Sequence, residues 1–276
     1  MAKEFAFDAY HQRFLQTLRN LVEAAQDQGI VLRGLGAVAV ISHCPAHLEL
    51  LSSLKRDLTD LDVVALGSQV ARLEPFFKSL EYELLGGRGV TVGIWDSRRI
   101  FVDPKGERPS VDVFIDKLDF CHTIELRNRL MIDSPTISLA DLVLEKLQIV
   151  QINEKDLKDL VVLFLEHELA EDERAECVNA AYIARLLAQS WGFYYTATTN
   201  LAKVLATTAR YEELGSRQRE EVTTRVKALL DRVEREPKTL KWKLRARIGT
   251  KLQWYQDVGE GYREVASEPQ NGGIEE

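Results

Sequence analysis

The chain is 276 residues long, which is enough for two domains with separate cores. Its formal net charge of −7 and pI near 5.5 disfavour nonspecific nucleic-acid binding, because such binding rests on many cationic phosphate contacts. No apolar run approaches the ~20 residues needed to span a bilayer, so no membrane association is expected. The first residues lack a basic, apolar signal segment, and three cysteines are too few for a disulfide framework, so we expect a cytoplasmic protein.

Residues 1–135 alternate between helical and strand-like patterns. Residues 8–29 carry apolar residues at helical spacing and end near Gly29, which predicts a helix. Residues 46–54 predict a short second helix, and residues 70–80 predict another despite Pro75. Short apolar runs predict five strands, at 38–41, 61–66, 90–94, 100–102 and 111–115.

From Ser138 onward the pattern is almost entirely helical. Ser138 and Asp141 form a capping motif for a helix that runs to about residue 151. Further helices are predicted at 155–167, 175–188, 200–205, 216–235 and 239–255. The predicted fold class is therefore α/β (α+β), with a mixed sheet and flanking helices in residues 1–135, a helical domain in 136–266 and a disordered tail in 267–276.

Two aspartates, Asp60 and Asp62, stand at the start of an apolar, β-branched run. On a strand they would share one face, roughly 6.6 Å apart along the backbone. Burial of neighbouring carboxylates is costly unless a positive charge lies between them, and a divalent cation supplies that charge. A third aspartate, Asp112, lies inside the strand-like alternation of residues 110–116. Taken alone, an Asp-x-Asp pair is more often a turn or a solvated strand end.

A glycine turn precedes these aspartates, and two lysine motifs follow them. Gly34, Leu35 and Gly36 lead into a run of small and apolar residues. Glycines in such a turn let the backbone approach a phosphate closely. Downstream, Lys146 stands in a helical Lys-Leu element and Lys155 begins the sequence Lys-Asp-Leu-Lys-Asp.

The order of these motifs resembles the DNA polymerase beta superfamily of nucleotidyltransferases, which has a glycine turn, then Asp-x-Asp on one strand and a lone Asp on a neighbour. Within that superfamily the chain looks most like the small bacterial nucleotidyltransferase-like proteins related to abortive-infection toxins, through Arg56, Lys146 and Lys155. The resemblance covers about residues 30–165. It implies a polymerase-beta-like fold and transfer of a nucleoside monophosphate from an NTP to an acceptor hydroxyl, with release of pyrophosphate.

The resemblance also implies a role for each motif residue. Asp60 and Asp62 would bridge two Mg²⁺ ions, and Asp112 would complete the site near the attacking hydroxyl. Nucleotide binding would use the glycine turn and three cationic side chains; the residues implied are Gly34, Gly36, Arg56, Lys146 and Lys155. An RNA end, a protein or a small molecule would serve as the acceptor, and a toxin would have a neutralising antitoxin partner.

One departure from the family pattern keeps an alternative open. The family usually has Gly-Gly or Gly-Ser at the turn, whereas Leu35 offers no hydroxyl to a phosphate. The alternative is a noncatalytic nucleotide-binding or RNA-interaction protein on the same fold. RNA contact would use the stretch from Lys238 to Lys251, which has six cations and no acid. As a helix, this stretch is expected to expose its cations and to bury Leu240, Leu244, Ile248 and Leu252.

Histidine and cysteine cluster in two short segments, His43 to His47 and Cys121–His122. Neither segment has the spacing of a zinc finger or ribbon, and adjacent residues of an extended chain point in opposite directions. We therefore expect Cys44 and Cys121 to be small core residues, with the histidines at the ends of segments. No structural zinc site is predicted.

Overall fold

The computed structural model describes residues 9–53, 58–85 and 98–258, in which helices and short strands alternate. The elements of the first part are α1 (Ala9–Asp27), β1 (Leu32–Gly34), α2 (Gly36–His43), α3 (Leu48–Ser53), β2 (Leu61–Ala65), α4 (Val70–Ser79), β3 (Glu83–Leu84), β4 (Arg98–Val102), β5 (Val111–Ile115), β6 (Lys117–Asp119) and β7 (Thr123–Glu125). Those of the second part are α5 (Leu139–Leu147), α6 (Glu154–Glu166), β8 (Glu168–Ala170), β9 (Cys177–Asn179), α7 (Ala180–Leu187), α8 (Trp191–Arg210), α9 (Ser216–Arg235) and α10 (Leu240–Ile248).

A five-stranded mixed sheet forms the centre of the first part, in the order β1-β2-β5-β4-β3. Strands β2 and β5 pair in parallel, and the other neighbours pair antiparallel. The two central strands are almost wholly buried, which suits their content of Val, Leu and Ile. Two small sheets, β6–β7 and β8–β9, were not predicted. The predicted α+β class, with a mixed sheet and flanking helices, is confirmed.

Residues 38–41 are helical, so the strand predicted there is wrong. They belong to α2, which is buried on nearly every side. A short run that is apolar in all directions has no periodicity to separate a strand from a buried helix. The strand of this region is β1, which pairs with β2, while α2 packs against β2, α5 and α6.

Most other predictions for the first part are confirmed. The helices predicted at 8–29 and 70–80 are α1 and α4, and Pro75 lies inside α4. The strands predicted at 61–66, 100–102 and 111–115 are β2, β4 and β5. The helix predicted at 46–54 is a 3₁₀ turn at Pro45–His47 followed by α3. The strand predicted at 90–94 lies outside the described residues.

The second part is helical as predicted, with differences at the ends of elements. Ser138 caps α5, because its side chain accepts a hydrogen bond from the Asp141 N–H. Helix α8 is much longer than the predicted 200–205, because Ser190 caps it and the aromatic residues from Trp191 onward continue the helix. Strand β9 replaces the start of the helix predicted at 175–188, and Asn179 then caps α7. Among the described helices, none combines the length and the apolar content that crossing a bilayer would take.

The buried apolar side chains form one continuous cluster, from Phe14 in α1 to Val233 in α9. The segment between the two parts also joins the sheet. The N–H of Gly34 donates to Pro135 O at 2.9 Å, and the N–H of Ile137 donates to Gly34 O at 2.9 Å. The domain boundary between residues 135 and 136 stays a prediction.

The burial predicted for the apolar residues of the basic stretch is wrong. The exposed residues are Leu240, Leu244, Ile248 and Leu252, with Leu240 at 74%. Helix α10 is held to α8 by other groups, because the Trp242 ring lies 5.0 Å from the Tyr194 ring and the Arg245 guanidinium lies 4.8 Å above Trp191. Helical spacing predicted the apolar row correctly, but the row faces outward.

His122 joins the β6–β7 hairpin to α8. Its Nε2 lies 2.8 Å from Thr196 Oγ1, and its ring stacks on Phe193 with 4.9 Å between centroids. The same hydroxyl accepts a hydrogen bond from Trp254 Nε1 at 3.0 Å. Burial lowers the pKa of His122 to about 4. The folded protein therefore keeps this imidazole neutral over a pH range in which an unfolded chain binds a proton.

We expect His122 to make the folded protein sensitive to acid. Its pKa is about 4 in the folded protein and about 6.5 in an unfolded chain. The neutral His122 therefore contributes its full stability above about pH 6.5, and this contribution is lost as the pH falls towards 4. When the pH falls from 7 to 4.5, the free energy of unfolding should decrease in both proteins. The decrease should be smaller in His122→Gln than in the wild type, by on the order of 2 kcal/mol. Urea denaturation at both pH values measures the difference. Equal losses in the two proteins would contradict the prediction.

Candidate active site

Three aspartates converge at the paired ends of the two central strands. Asp62 of β2 lies opposite Asp112 of β5 in the parallel register, and Asp60 immediately precedes β2. Residues paired in register project from the same face of a sheet. Asp60, Asp62 and Asp112 each offer a carboxylate oxygen, and these oxygens lie within 4.8 Å of one another. The structure therefore brings together the three residues that the sequence singled out.

Negative charge is crowded at this point. Burial, together with the charges of Asp60 and Asp112, holds the pKa of the Asp62 carboxyl well above its ordinary value. Burial also raises the pKa of Asp112, against the opposing effect of Arg98. Such crowding is relieved either by protonation or by a bound cation.

Arg98 is a site residue that the sequence analysis missed. It lies on β4, and its guanidinium forms an ion pair with Asp112 Oδ2 and lies 5.5 Å from the centre of the Phe114 ring. The other oxygen, Asp112 Oδ1, is buried and has no hydrogen-bond partner among the described residues. A strand was predicted in this segment, but only from residue 100 onward, which left Arg98 outside it.

The carboxylate cluster fits a divalent cation of the magnesium type. Its donors are hard oxygens, which Mg²⁺ prefers. Within the described part of the chain, Asp112 Oδ1 has no hydrogen-bond partner, and Asp62 lies among like charges. Both conditions would be satisfied by an ion bound between Asp60, Asp62 and Asp112.

Gly36 lies directly against the Asp62 carboxylate. Its φ of +70° is in the left-handed region, and a Cβ built on it would lie 2.5 Å from Asp62 Oδ2. Its N–H begins α2 and donates to Glu145 Oε2 at 3.0 Å. Only a glycine fits both the conformation and the space. The preceding Leu35 is buried, and its N–H donates to Asp62 O at 3.0 Å.

Gly34 serves a packing role in this structure. A Cβ on Gly34 would lie 2.7 Å from Leu18 Cδ2, so the glycine lets α1 approach β1 closely. The two glycines of the turn therefore face different neighbours. A role for Gly34 in binding phosphate stays a prediction.

Lys146 is buried among carboxylates. Its Nζ lies 3.4 Å from Glu145 Oε1, 3.4 Å from Asp156 Oδ1 and 3.2 Å from Asp159 Oδ2. Its charge also lowers the pKa of Asp62, against the larger effect of burial. Lys146 is thus the counter-ion of an acidic cluster that adjoins the aspartates, and Glu145 is a second residue missed by the sequence analysis. A direct contact of Lys146 with a triphosphate stays a prediction.

The other two predicted nucleotide-binding cations are not in this cluster. Lys155 is exposed in the first turn of α6. Arg56 lies outside the described residues. Their roles in nucleotide binding also stay predictions.

Comparison with known proteins gives a weak likeness to two solved structures. No protein-family model and no curated protein matches the chain. An antigenic nucleotidyltransferase-like protein from Paracoccidioides brasiliensis is similar at 12% identity and a TM-score of 0.42, covering 83% of this chain and 95% of that one. The antibiotic-resistance factor ANT(2'')-Ia is similar at 11% identity and a TM-score of 0.33, covering 87% and 94%. Both TM-scores are low, so the function proposed below is drawn from the geometry of the site.

Gly36→Ala should weaken metal binding as well as stability. The variant combines an unfavourable φ of +70° with a Cβ 2.5 Å from Asp62 Oδ2, so the carboxylate must move. We expect at least about tenfold weaker Mn²⁺ binding, about 1.4 kcal/mol, in a calorimetric titration. Gly106→Ala is the matched control, because Gly106 has a φ of +66° and nothing within 4 Å. Equal Mn²⁺ affinity in both variants would contradict the proposed role of the contact.

Lys146→Met should destabilise the fold strongly. It leaves Glu145, Asp156 and Asp159 without their shared counter-ion, and loss of one partner of a buried ion pair costs about 3–5 kcal/mol. Arg217→Met removes the i,i+4 pair with Glu221 on α9, where the Arg217 side chain is 90% exposed, and should cost about 1 kcal/mol or less. Urea denaturation of both variants measures the two losses. A similar small loss in both would show that the carboxylates do not depend on Lys146.

Proposed function

We propose that the chain is a magnesium-dependent nucleotidyltransferase, which transfers a nucleoside monophosphate from an NTP to an acceptor hydroxyl. The observation that carries this proposal is the convergence of Asp60, Asp62 and Asp112. The start of α2 at Gly36 lies beside the same carboxylates. A cation site next to a helix N-terminus suits a triphosphate. The cation would neutralise the phosphate charge, and the helix N-terminus would offer N–H groups to the phosphate oxygens.

In the reaction, the acceptor oxygen forms a bond to the α-phosphorus while the bond to the β-phosphate oxygen breaks, and pyrophosphate leaves. Asp60 and Asp62 would hold two ions between them, and Asp112 would complete the site. When bound, magnesium ions stabilise the charge that develops on the attacking and leaving oxygens. We assign Asp112 Oδ1 to accept the proton of the acceptor hydroxyl, because this buried atom has no hydrogen-bond partner among the described residues.

Cationic side chains complete the proposed site. Lys146 is the nearest buried ammonium, and it offsets the negative charge around Asp62. Arg56 and Lys155 are proposed to contact the triphosphate at the rim. Arg98 holds Asp112 in place through their ion pair and so is a positioning residue.

The proposal leaves the chemical class of the acceptor open. An RNA end, a protein and a small molecule all offer a hydroxyl. The cations of α10 support an RNA acceptor, whereas Trp242 and Trp254 already pack against Tyr194 and Tyr195. A toxin activity and a neutralising antitoxin partner rest on the sequence motifs alone.

Two contacts favour a noncatalytic alternative. Arg98 already neutralises one oxygen of Asp112, and Glu145 already accepts the Gly36 N–H that would face a phosphate. A protein that binds a nucleotide without transferring it would tolerate both contacts. The proposed enzyme requires Glu145 to give up its hydrogen bond to Gly36 when a nucleotide binds.

Transfer of label from an α-labelled NTP distinguishes the two functions. We expect the wild-type protein, with Mg²⁺ and a total extract of bacterial RNA and protein, to label an acceptor and release pyrophosphate. Asp60→Asn/Asp62→Asn should reduce the transfer by at least about 10³-fold, roughly 4 kcal/mol of transition-state stabilisation. Asp119→Asn is the control, because Asp119 pairs with Lys117 in the β6–β7 hairpin.

Each outcome of this experiment has a definite meaning. Transfer by the wild type and by Asp119→Asn alone supports the enzyme. Magnesium-dependent nucleotide binding without transfer by any of the proteins supports the noncatalytic alternative. Equal transfer by Asp60→Asn/Asp62→Asn and the wild type would overturn the assignment of the aspartates.

A further inference from the structure

A second cluster of potential metal ligands lies at the opposite end of α2. His43 is the last residue of α2, His167 follows α6, and Glu176 precedes β9. Each of the three offers one ligand atom, and these atoms lie within 4.8 Å of one another. We infer that His43, His167 and Glu176 form a binding site for a transition-metal ion of the zinc type.

The distances suit a tetrahedral ion. Glu176 Oε2 lies 3.5 Å from His43 Nδ1 and 3.5 Å from His167 Nδ1. Zinc bonds of about 2.0–2.1 Å in a tetrahedron separate neighbouring donors by roughly 3.3–3.4 Å. The carboxylate oxygen is therefore already near its ligand position relative to both imidazoles. Two imidazole nitrogens and one carboxylate are a donor set that zinc prefers, whereas magnesium prefers oxygen alone.

The ring of His43 is held in the orientation that this site requires. Its Nε2, on the far side of the ring from Glu176, lies 2.7 Å from Thr136 Oγ1. Asp133 Oδ2 lies 3.8 Å from the same nitrogen. A histidine that binds a metal through one nitrogen commonly donates the other N–H to a hydroxyl or carboxylate, which fixes the ring. Thr136 supplies a hydroxyl at hydrogen-bond distance, and Asp133 adds a negative charge nearby.

His167 requires one change of tautomer. Its Nδ1 lies 3.1 Å from Glu176 O, and its Nε2 lies 3.9 Å from Cys44 Sγ. To bind an ion through Nδ1, the neutral ring must carry its proton on Nε2. That proton then points towards the sulfur of Cys44, which is a weak acceptor. The step moves one proton from Nδ1 to Nε2 of His167 and gives up the hydrogen bond from Nδ1 to Glu176 O.

A cavity gives an ion access to Glu176. It has a volume of about 170 Å³, and its lining includes Asp133, Glu173, Glu176 and Cys177. The Glu176 side chain is 64% exposed, whereas the two histidines are buried. Glu176 also has a φ of +54°, which residues other than glycine rarely adopt. The site therefore has two ligands in the core and one at the surface.

The ion would join three separate segments. His43 is the last residue of α2, His167 directly follows α6, and Glu176 lies in the loop between β8 and β9. The sequence analysis did not predict this site, because His43 and His167 are 124 positions apart in the numbering. Their ligand spacing exists only in the folded chain. This inference is independent of the proposed transferase activity.

Zinc retention by the full chain tests the inference. The protein is stripped with a chelator, exchanged into excess Zn²⁺, dialysed and analysed for bound metal. We expect about one zinc ion per wild-type chain with the donor set described, and at least about tenfold weaker binding by Glu176→Gln. Because the Glu176 side chain is exposed, we expect this variant to leave the core intact, and circular dichroism without metal checks its fold. Glu168→Gln, an exposed acid on β8, is the matched control and should retain zinc.

Two further measurements separate this site from the aspartates. Asp60→Asn/Asp62→Asn should retain zinc at the wild-type level. Cobalt substituted for zinc should give the strong visible absorption of a tetrahedral ion, and Glu176→Gln should lose it. Failure of the wild type to retain zinc, equal retention by Glu176→Gln, or loss of zinc in Asp60→Asn/Asp62→Asn would each overturn the inference.

Discussion

Repulsion between carboxylates around Asp62 is the constraint on which the rest of the site depends. Burial raises the pKa of Asp62, the charges of Asp60, Asp112 and Glu145 raise it further, and the charge of Lys146 opposes them. Arg98 neutralises one oxygen of Asp112 on the sheet side, and Lys146 acts from α5. A site built in this way would favour a bound cation, because the fold already holds the carboxylates close together.

The sequence predicted the framework of the fold well where a pattern has a distinct period. Helix α1 and strands β2 and β5 have clear helical or strand patterns, and each was predicted within a few residues. Residues 38–41 of α2 were predicted as a strand, because the run Val-Ala-Val-Ile is apolar on all sides and has no polar face. The exposed apolar row of α10, which consists of Leu240, Leu244 and Ile248, shows a related limit of sequence patterns. Spacing predicts which residues share a face, whereas the tertiary fold decides which way that face points.

The candidate site was predictable in part for the same reason. Asp60, Asp62 and Asp112 carry a local signature on strands, and strand pairing then brings them together. Glu145 and Arg98 have no such signature, because their contacts depend on how α5 and β4 pack against the aspartates. The spacing of the lysine motifs placed Lys146 in a helix, but it could not show that three acids surround the ammonium.

Helix α2 links the two clusters of potential ligands. It has eight residues and so spans roughly 12 Å, with Gly36 at one end and His43 at the other. At Gly36 there is room for a hydrogen but no room for a methyl group, since a Cβ would lie 2.5 Å from the Asp62 carboxylate. A small shift of α2 along its axis would therefore disturb Asp62. Because the helix is buried and closely packed, a contact that fixes His43 also limits movement at Gly36. An ion bound by His43, His167 and Glu176 would thus secure the position of α2 on which the geometry of the aspartates depends.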